Sequence, residues 1–357
     1  MVAEVVDAVV GVDTHRDTHQ AEIAGPAGVP IATTQIPNTS AGFTALLGWM
    51  AEHSPGPRIL LAVEGSRSYG IGLTRAAAAA GLAVIEVGRP TRTHRRGVGK
   101  SDPIDAHLAV LTALRLEADQ LPTPRSDGDR EGLRILLGAR AELVTTATGQ
   151  TNRLRALLLA GDDTDRQAAR DTLTDTRLAT LARRRVARDA SREQAIRQAE
   201  IRRLALALRQ AARQLTANRK QLRDLVTDLV TDLAPALLDR PGIGPICAAQ
   251  AIVSYSHPGR VRNDAAFASL AGVCPIPASS GHTIRHRLSR GGDRALNRAI
   301  HTIAISRLRT CPRTRAYAAR RRAEGKTPRE IRRALKRYIA RELYRQLTRS
   351  MNPPVSS

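Results

Sequence analysis

Asp13 closes VVDAVVGVD, a run of apolar and β-branched residues that reads as a buried strand, and Glu64 closes a second such run, LLAVEG. A carboxylate in that position is costly unless it is paired or meets a cation. Asp102 and Asp105 open a later helical pattern, DPIDAHLAVLTALRLEAD, at a spacing that puts both on one face. Four acids from three elements could therefore converge where adjacent strands end. Oxygen ligands in that arrangement suit Mg²⁺, with Mn²⁺ as the alternative. Two such ions about 3.5–4 Å apart activate an attacking oxygen and stabilise a leaving one at phosphorus. Asp102 alone could equally be an acidic first-turn residue at a helix N-terminus.

The elements that must carry these acids alternate. VVDAVVGVD, THQAEIAGPAG and VPIATTQIPN read as three strands in hairpin-like succession, and SAGFTALLGWMAEH as an amphipathic helix begun by Ser40. LLAVEG is a short buried strand, YGIGLTRAAAAAG a helix stopped by Gly81, and LAVIEVG another strand. This is an α/β layout with helices covering the sheet. A basic loop, RPTRTHRRGVGK, follows and supplies Arg95, Arg96 and Lys100 as candidate nucleic-acid contacts before Ser101 leads into the helix of Asp102.

From about Glu131 to Leu238 the pattern becomes long helical periodicity rich in Ala, Leu and Arg, with one interruption near GDDTD. Such helices form an antiparallel coiled coil or arm, suited to oligomerisation or docking. Pro241-Gly242-Ile243-Gly244 then resembles a helix-hairpin-helix turn, in which Gly242 and Gly244 would expose backbone N–H groups to a phosphate. An ordinary interhelical turn fits as well. Beyond it a long polar loop joins two helices, and residues from Arg307 to Ser350 read as a basic helical tail.

Charge divides the chain unevenly. Residues 1–130 hold 12 Lys+Arg against 14 Asp+Glu, whereas the remaining 227 hold 44 against 19, a net of +25. A near-neutral module joined to a strongly basic one suggests chemistry at one end and polyanion binding along the other, with nucleic acid as the leading partner. Only eight aromatic residues are present, which argues against base stacking as the main binding mode. No apolar run approaches the roughly 20 residues of a membrane span, and no signal-peptide pattern opens the chain, so a cytoplasmic, nucleoid-associated protein is expected. Cys247, Cys274 and Cys311 lack metal-site spacing and read as small buried apolar residues.

GVDTHRDTH, AVEGSRSYG and KSDPIDAHLA, in this order, resemble the RuvC-like DEDD domain of transposases from the insertion-sequence family 110. RPGIG, FASLAGVCPIPASSG and RLSRGGDRALNRA resemble that family's C-terminal transposase domain, so the similarity covers both ends of the chain. It implies an α/β RNase H/RuvC-like domain over 1–125 and a mainly helical C-terminal domain over 236–350, leaving the helical coiled-coil arm over 126–235 and a tail over 351–357 without a motif. The metal-binding acids then fall on Asp13, Glu64, Asp102 and Asp105, and the catalytic serine on Ser280, with Ser279 adjacent. Without the resemblance, Ser280 in SSGH would read as a turn-forming serine. Arg285, Arg287 and Arg290 follow closely, and guanidinium pairs with phosphate in bidentate fashion, whether at the scissile phosphate or along the backbone. The resemblance further implies a DNA transposase or recombinase acting on double-stranded donor and target DNA by transesterification. It also implies a structured guide RNA and a homodimer or homotetramer whose protomers share a composite site. A DNA invertase or a junction-resolving nuclease would use the same acids, the nuclease without a serine.

Overall fold

The computed structural model describes residues 1–88, 102–119, 121–124, 128–233, 237–257, 260–277, 286–287, 289 and 291–351. Strands β1 (Ala8–Thr14), β2 (Thr18–Ala24), β3 (Pro30–Pro37), β4 (Ile59–Glu64) and β5 (Ala83–Val87) form one sheet in the order β3-β2-β1-β4-β5. The first three pair antiparallel, and β1, β4 and β5 run parallel. This mixed sheet fits the RuvC-like expectation.

β1 lies between β2 and β4 and is covered on both faces, which is why its sequence is a continuous apolar run rather than an alternating one. Val10 and Val12 point to one face, where α1 (Ser40–His53) and α2 (Ile71–Ala79) deliver Phe43, Leu46, Met50, Leu73 and Ala77. Full burial of each large apolar side chain there stabilises the fold by about 1.5–3 kcal/mol. Val9 points to the other face, with Leu60, Ala62 and Ile85, under Ala109, Val110 and Ala113 of α3 (Asp102–Leu114). Thr39, one residue earlier than the sequence pattern suggests, caps α1 by accepting from the Gly42 N–H.

Two long helices follow, α4 (Gly128–Leu159) and α7 (Arg192–Leu233). Leu133 clusters with Leu222 and Val226, while Leu154 and Leu158 cluster with Ile201 and Leu204, so the pair runs antiparallel. The Asn218 side chain ties α7 to the Leu136 carbonyl at 2.9 Å. The connection is larger than the single break read from GDDTD. It contains α5 (Asp163–Arg170), capped by Asp162, and α6 (Asp175–Arg183), capped by Thr174, and both add apolar residues to the far end of the hairpin.

The base of the hairpin shares a core with α8 (Pro245–Tyr255), α9 (Asp264–Leu270), α10 (Arg294–Thr310), α11 (Pro312–Ala323) and α12 (Pro328–Met351). Here the reading of the last residues as a basic tail needs correction. Ile331, Leu335, Ile339, Leu343 and Leu347 of α12 are buried, and Tyr344 packs on Tyr255 and Phe267. The arginines between them hid an apolar stripe of helical period. Cysteine burial also differs from expectation: Cys247 is buried, whereas Cys274 and Cys311 are partly exposed. Burial pushes the Cys247 thiol pKa up, and hydrogen bonding to Thr314 pulls that of Cys311 down. Among the described residues no helix is long and apolar enough to cross a membrane.

Candidate active site and nucleic-acid surface

Parallel pairing aligns Val12 with Val63, so Asp13 and Glu64 occupy corresponding positions at the C-terminal ends of neighbouring strands. Both continue the set of residues that faces α3, since Val9 and Gly11 alternate with Asp13, and Leu60 and Ala62 with Glu64. Thr14 ties the two strand ends together, its hydroxyl donating to the Glu64 carbonyl at 2.7 Å. Beyond β4 the chain turns at Gly65, whose φ of 74° lies in the left-handed region.

α3 reaches this place because β1 carries a glycine. A Cβ on Gly11 would stand 2.2 Å from the Ala106 carbonyl oxygen and 2.8 Å from Val110, so the helix sits directly on the strand. From there it runs back toward Val2, whose N–H donates to the Leu116 carbonyl, which leaves the N-terminal turn of α3 at the Asp13 end. Asp105, adjacent to Ala106, is buried at 6% exposure, as is Asp13. Asp102 begins the helix one turn earlier. We expect Gly11→Ala to lower stability by about 1–3 kcal/mol through overpacking, read as a lower urea midpoint. An unchanged midpoint would mean that α3 can lift from β1 without cost.

Asp13, Glu64 and Asp105 are thus brought to one end of one sheet face. His15 Nε2 lies 3.2 Å from Asp13 Oδ2. Glu64 Oε2 and Asp105 Oδ1 are closed to solvent. Among the described residues no three His, Cys, Asp or Glu side chains form a group that could hold a metal ion. The donor chemistry nonetheless fits a hard divalent cation, because these acids supply only oxygen.

Two neighbours escaped the sequence reading. Glu22 of β2 pairs in register with Gly11 and is buried, and His107 Nδ1 donates to its Oε1 at 2.6 Å. The pair pins α3 to β2 close to Asp105, and the His two positions after Asp105 is the only hint the sequence offers. His19, fully buried and stacked on Phe43, has its pKa lowered by that burial.

In the C-terminal helices, the motif glycines hold backbone against backbone. Gly292, at φ 87°, would place a Cβ 2.3 Å from the Leu270 carbonyl oxygen, and Gly272, at φ 61°, would place one 2.6 Å from that of Gly291. Asp293 caps α10 and also accepts from the Ser254 hydroxyl at 2.6 Å, while Asn297 donates to the carbonyls of Ala271 and Gly272. This platform carries a two-stranded ladder, β6 (Ile276–Pro277) with β7 (His286–Arg287), in which Arg287 is exposed. Ser279, Ser280, Arg285 and Arg290 lie outside the described residues, as do Arg95, Arg96 and Lys100. A Cβ on Gly242, at φ 77°, would stand 3.1–3.2 Å from Ile303, Ser306 and Arg307 of α10, so its missing side chain serves close approach between elements. Gly244 stands exposed at the N-terminus of α8, with nothing within 4 Å of where a Cβ would be.

Comparison with known proteins adds what geometry alone does not. A family model described as Transposase, of the DEDD IS110 type, matches residues 10–161, and one described as Transposase IS116/IS110/IS902 family matches residues 234–319. The chain belongs to the IS110 family of transposases. It is 27% identical to the uncharacterized 43.6 kDa protein of insertion element IS110 from Streptomyces coelicolor, across 91% of this chain and 90% of that protein. It is 26% identical to the uncharacterized 42 kDa protein of insertion element IS900 from Mycobacterium paratuberculosis, across 88% of this chain and 89% of the relative. As an IS110-family transposase, it is an enzyme that transposes DNA.

Proposed function

We propose that this transposase cuts and rejoins the DNA of an insertion sequence by transesterification. Ser280 is the nucleophile, and Asp13, Glu64, Asp102 and Asp105 are the acids that hold Mg²⁺ or Mn²⁺. The observation that carries this reading is the arrival of Asp13, Glu64 and Asp105 at one end of one sheet face in a transposase chain. When bound, a divalent cation neutralises charge at the phosphodiester and favours departure of the leaving oxygen.

The remaining steps belong to the chain. Ser280 Oγ attacks phosphorus and gives up its proton as the P–O3′ bond breaks. One strand then ends in a free 3′-hydroxyl, and the other is held through its 5′-phosphate on serine. A second 3′-hydroxyl attacks that phosphoserine and releases Ser280, so one phosphodiester replaces another with no net hydrolysis. Arg285, Arg287 and Arg290 orient the phosphate. Arg95, Arg96, Lys100 and the N–H groups near Gly242 and Gly244 contact the backbone. A structured guide RNA and double-stranded donor and target DNA account for the +25 excess over residues 131–357. Two protomers supply the acids and the serine to each composite site, assembled as a dimer or tetramer partly through the α4–α7 hairpin. Its exposed Val144, Ile196 and Leu206 offer apolar contact.

The test is strand analysis of DNA bearing the element's ends, incubated with the protein, its co-purified RNA and Mg²⁺. Rejoined strands without accumulating free 5′-phosphate ends are expected. Free 5′-phosphate ends with no joined product would point to a hydrolytic nuclease.

A further inference from the structure

Beside the β6–β7 ladder, α11, α12 and the 272–275 segment line an open cavity of about 630 Å³ whose wall is strongly basic. Its lining includes Arg321, Lys326, Arg333, Lys336 and Arg337, with Glu330 as the acid. Glu330 is engaged elsewhere, capping α12 by accepting from the Thr327 N–H and hydroxyl at 2.8 Å each. Arg337 and Arg341, which also lines the cavity, share the Asp264 carboxylate at 3.0 and 2.9 Å. Arg333 and Lys336 are bonded to neutral oxygens instead: Arg333 donates to the His286 carbonyl at 2.8 Å, and Lys336 Nζ to Asn297 Oδ1 at 2.6 Å.

Lys336 is the informative one. Only 9% of it is exposed, and an ammonium so placed is costly unless an anion joins it. Its pKa is lowered, first by that burial and then by Arg294. Asn297 uses one of its three N–H donors, and the same Asn297 fixes the Ala271–Gly272 turn, so the amine is held still on the platform that carries the ladder. Tyr338 adds a second kind of contact. Its ring is 55% exposed and lines the cavity, and Tyr317 braces it edge-on, with centroids 5.9 Å apart at 85°. An exposed, braced ring beside a buried ammonium and a partly buried guanidinium is the combination that receives an unpaired nucleotide: phosphate on the cations, base on the ring.

We infer that this cavity is a subsite for one unpaired nucleotide of a DNA strand, with the phosphate against Lys336 and Arg333 and the base against Tyr338. The inference rests on the transposase reading above and adds to it the strand state of the DNA at this surface. A concavity of about 630 Å³ is within the range that holds a small ligand, which includes a single nucleotide.

Full-length protein is titrated with a labelled single-stranded DNA, the matching duplex and an RNA of the same sequence at one fixed salt concentration. Variants are Lys336→Met, Tyr338→Leu and Tyr338→Phe. Each of the first two should weaken single-strand binding by about tenfold, for Tyr338→Leu within the range for loss of one stacked base and for Lys336→Met through loss of a charge-assisted phosphate contact. Duplex binding should stay within about twofold, and Tyr338→Phe should bind as wild type. Equal losses on single strand and duplex, or no loss on either, would overturn the subsite. A loss confined to RNA would overturn its assignment to DNA. Wild-type protein that bound neither DNA form would instead count against the transposase reading itself. Tyr338→Leu alters an exposed ring, so it remains informative even where Lys336→Met fails to fold.

Discussion

Asp13→Asn and Asp105→Asn should each abolish strand cleavage while nucleic-acid affinity stays near that of wild type. Asparagine keeps the shape of aspartate and removes its charge, so a bound cation loses a full negative ligand. Metal ions contribute several kcal/mol of charge stabilisation to such reactions, and about 1.36 kcal/mol corresponds to tenfold in rate. A loss of two to three orders of magnitude or more is therefore expected. Binding should survive because the excess positive charge, a net of +25, lies beyond residue 130 and neither substitution removes a cation. The fold should survive too, since His15, 3.2 Å from Asp13 Oδ2, is half-exposed and can meet water when that charge is removed. Single-turnover cleavage, measured beside filter binding and thermal unfolding, separates the three quantities. Wild-type cleavage by either variant would remove these acids from the chemistry.

The order of strands and helices around this site was legible in the sequence because β1 and β4 are apolar runs with abrupt ends. The runs could not show that β1 lies between β2 and β4, nor that α3 returns over β1 toward Val2. Those relations depend on Gly11, whose missing side chain lets the helix settle on the strand, and a glycine inside a strand pattern has several other readings. Glu22 was hidden for a different reason. In an alternating strand it looks like the solvent face, and only α3 and His107 bury it.

At the C-terminal end, composition concealed structure. The arginine-rich segment beyond Arg307 carries its apolar residues at helical spacing, yet its charge gives the impression of a solvated tail. The scarcity of aromatics pointed away from stacking as the main binding mode, an argument made from the chain as a whole. It says nothing of a single position such as Tyr338, whose exposure depends on how α11 and α12 meet. The glycines of RLSRGGDRALNRA and FASLAGVC were legible as motif. Their physical role, two turns packed backbone to backbone, required the fold.

The serine carries the central claim, and a covalent intermediate is its direct signature. A hydrolytic enzyme using the same acids would activate water and leave no protein on the DNA. In the transesterification account the strand passes through the serine oxygen, so wild-type protein trapped during the reaction should carry labelled DNA through its 5′-phosphate. Ser280→Ala removes the attacking atom and with it both the adduct and the joined product. A thermal midpoint for Ser280→Ala within about 0.5 kcal/mol of wild type in stability, the usual range for a surface substitution, separates loss of chemistry from loss of fold. The measurement is denaturing electrophoresis of end-labelled DNA with wild-type, Ser279→Ala and Ser280→Ala proteins. The account predicts a protein–DNA band for the first two that is absent for the third. Cleavage by Ser280→Ala at the wild-type rate would contradict it.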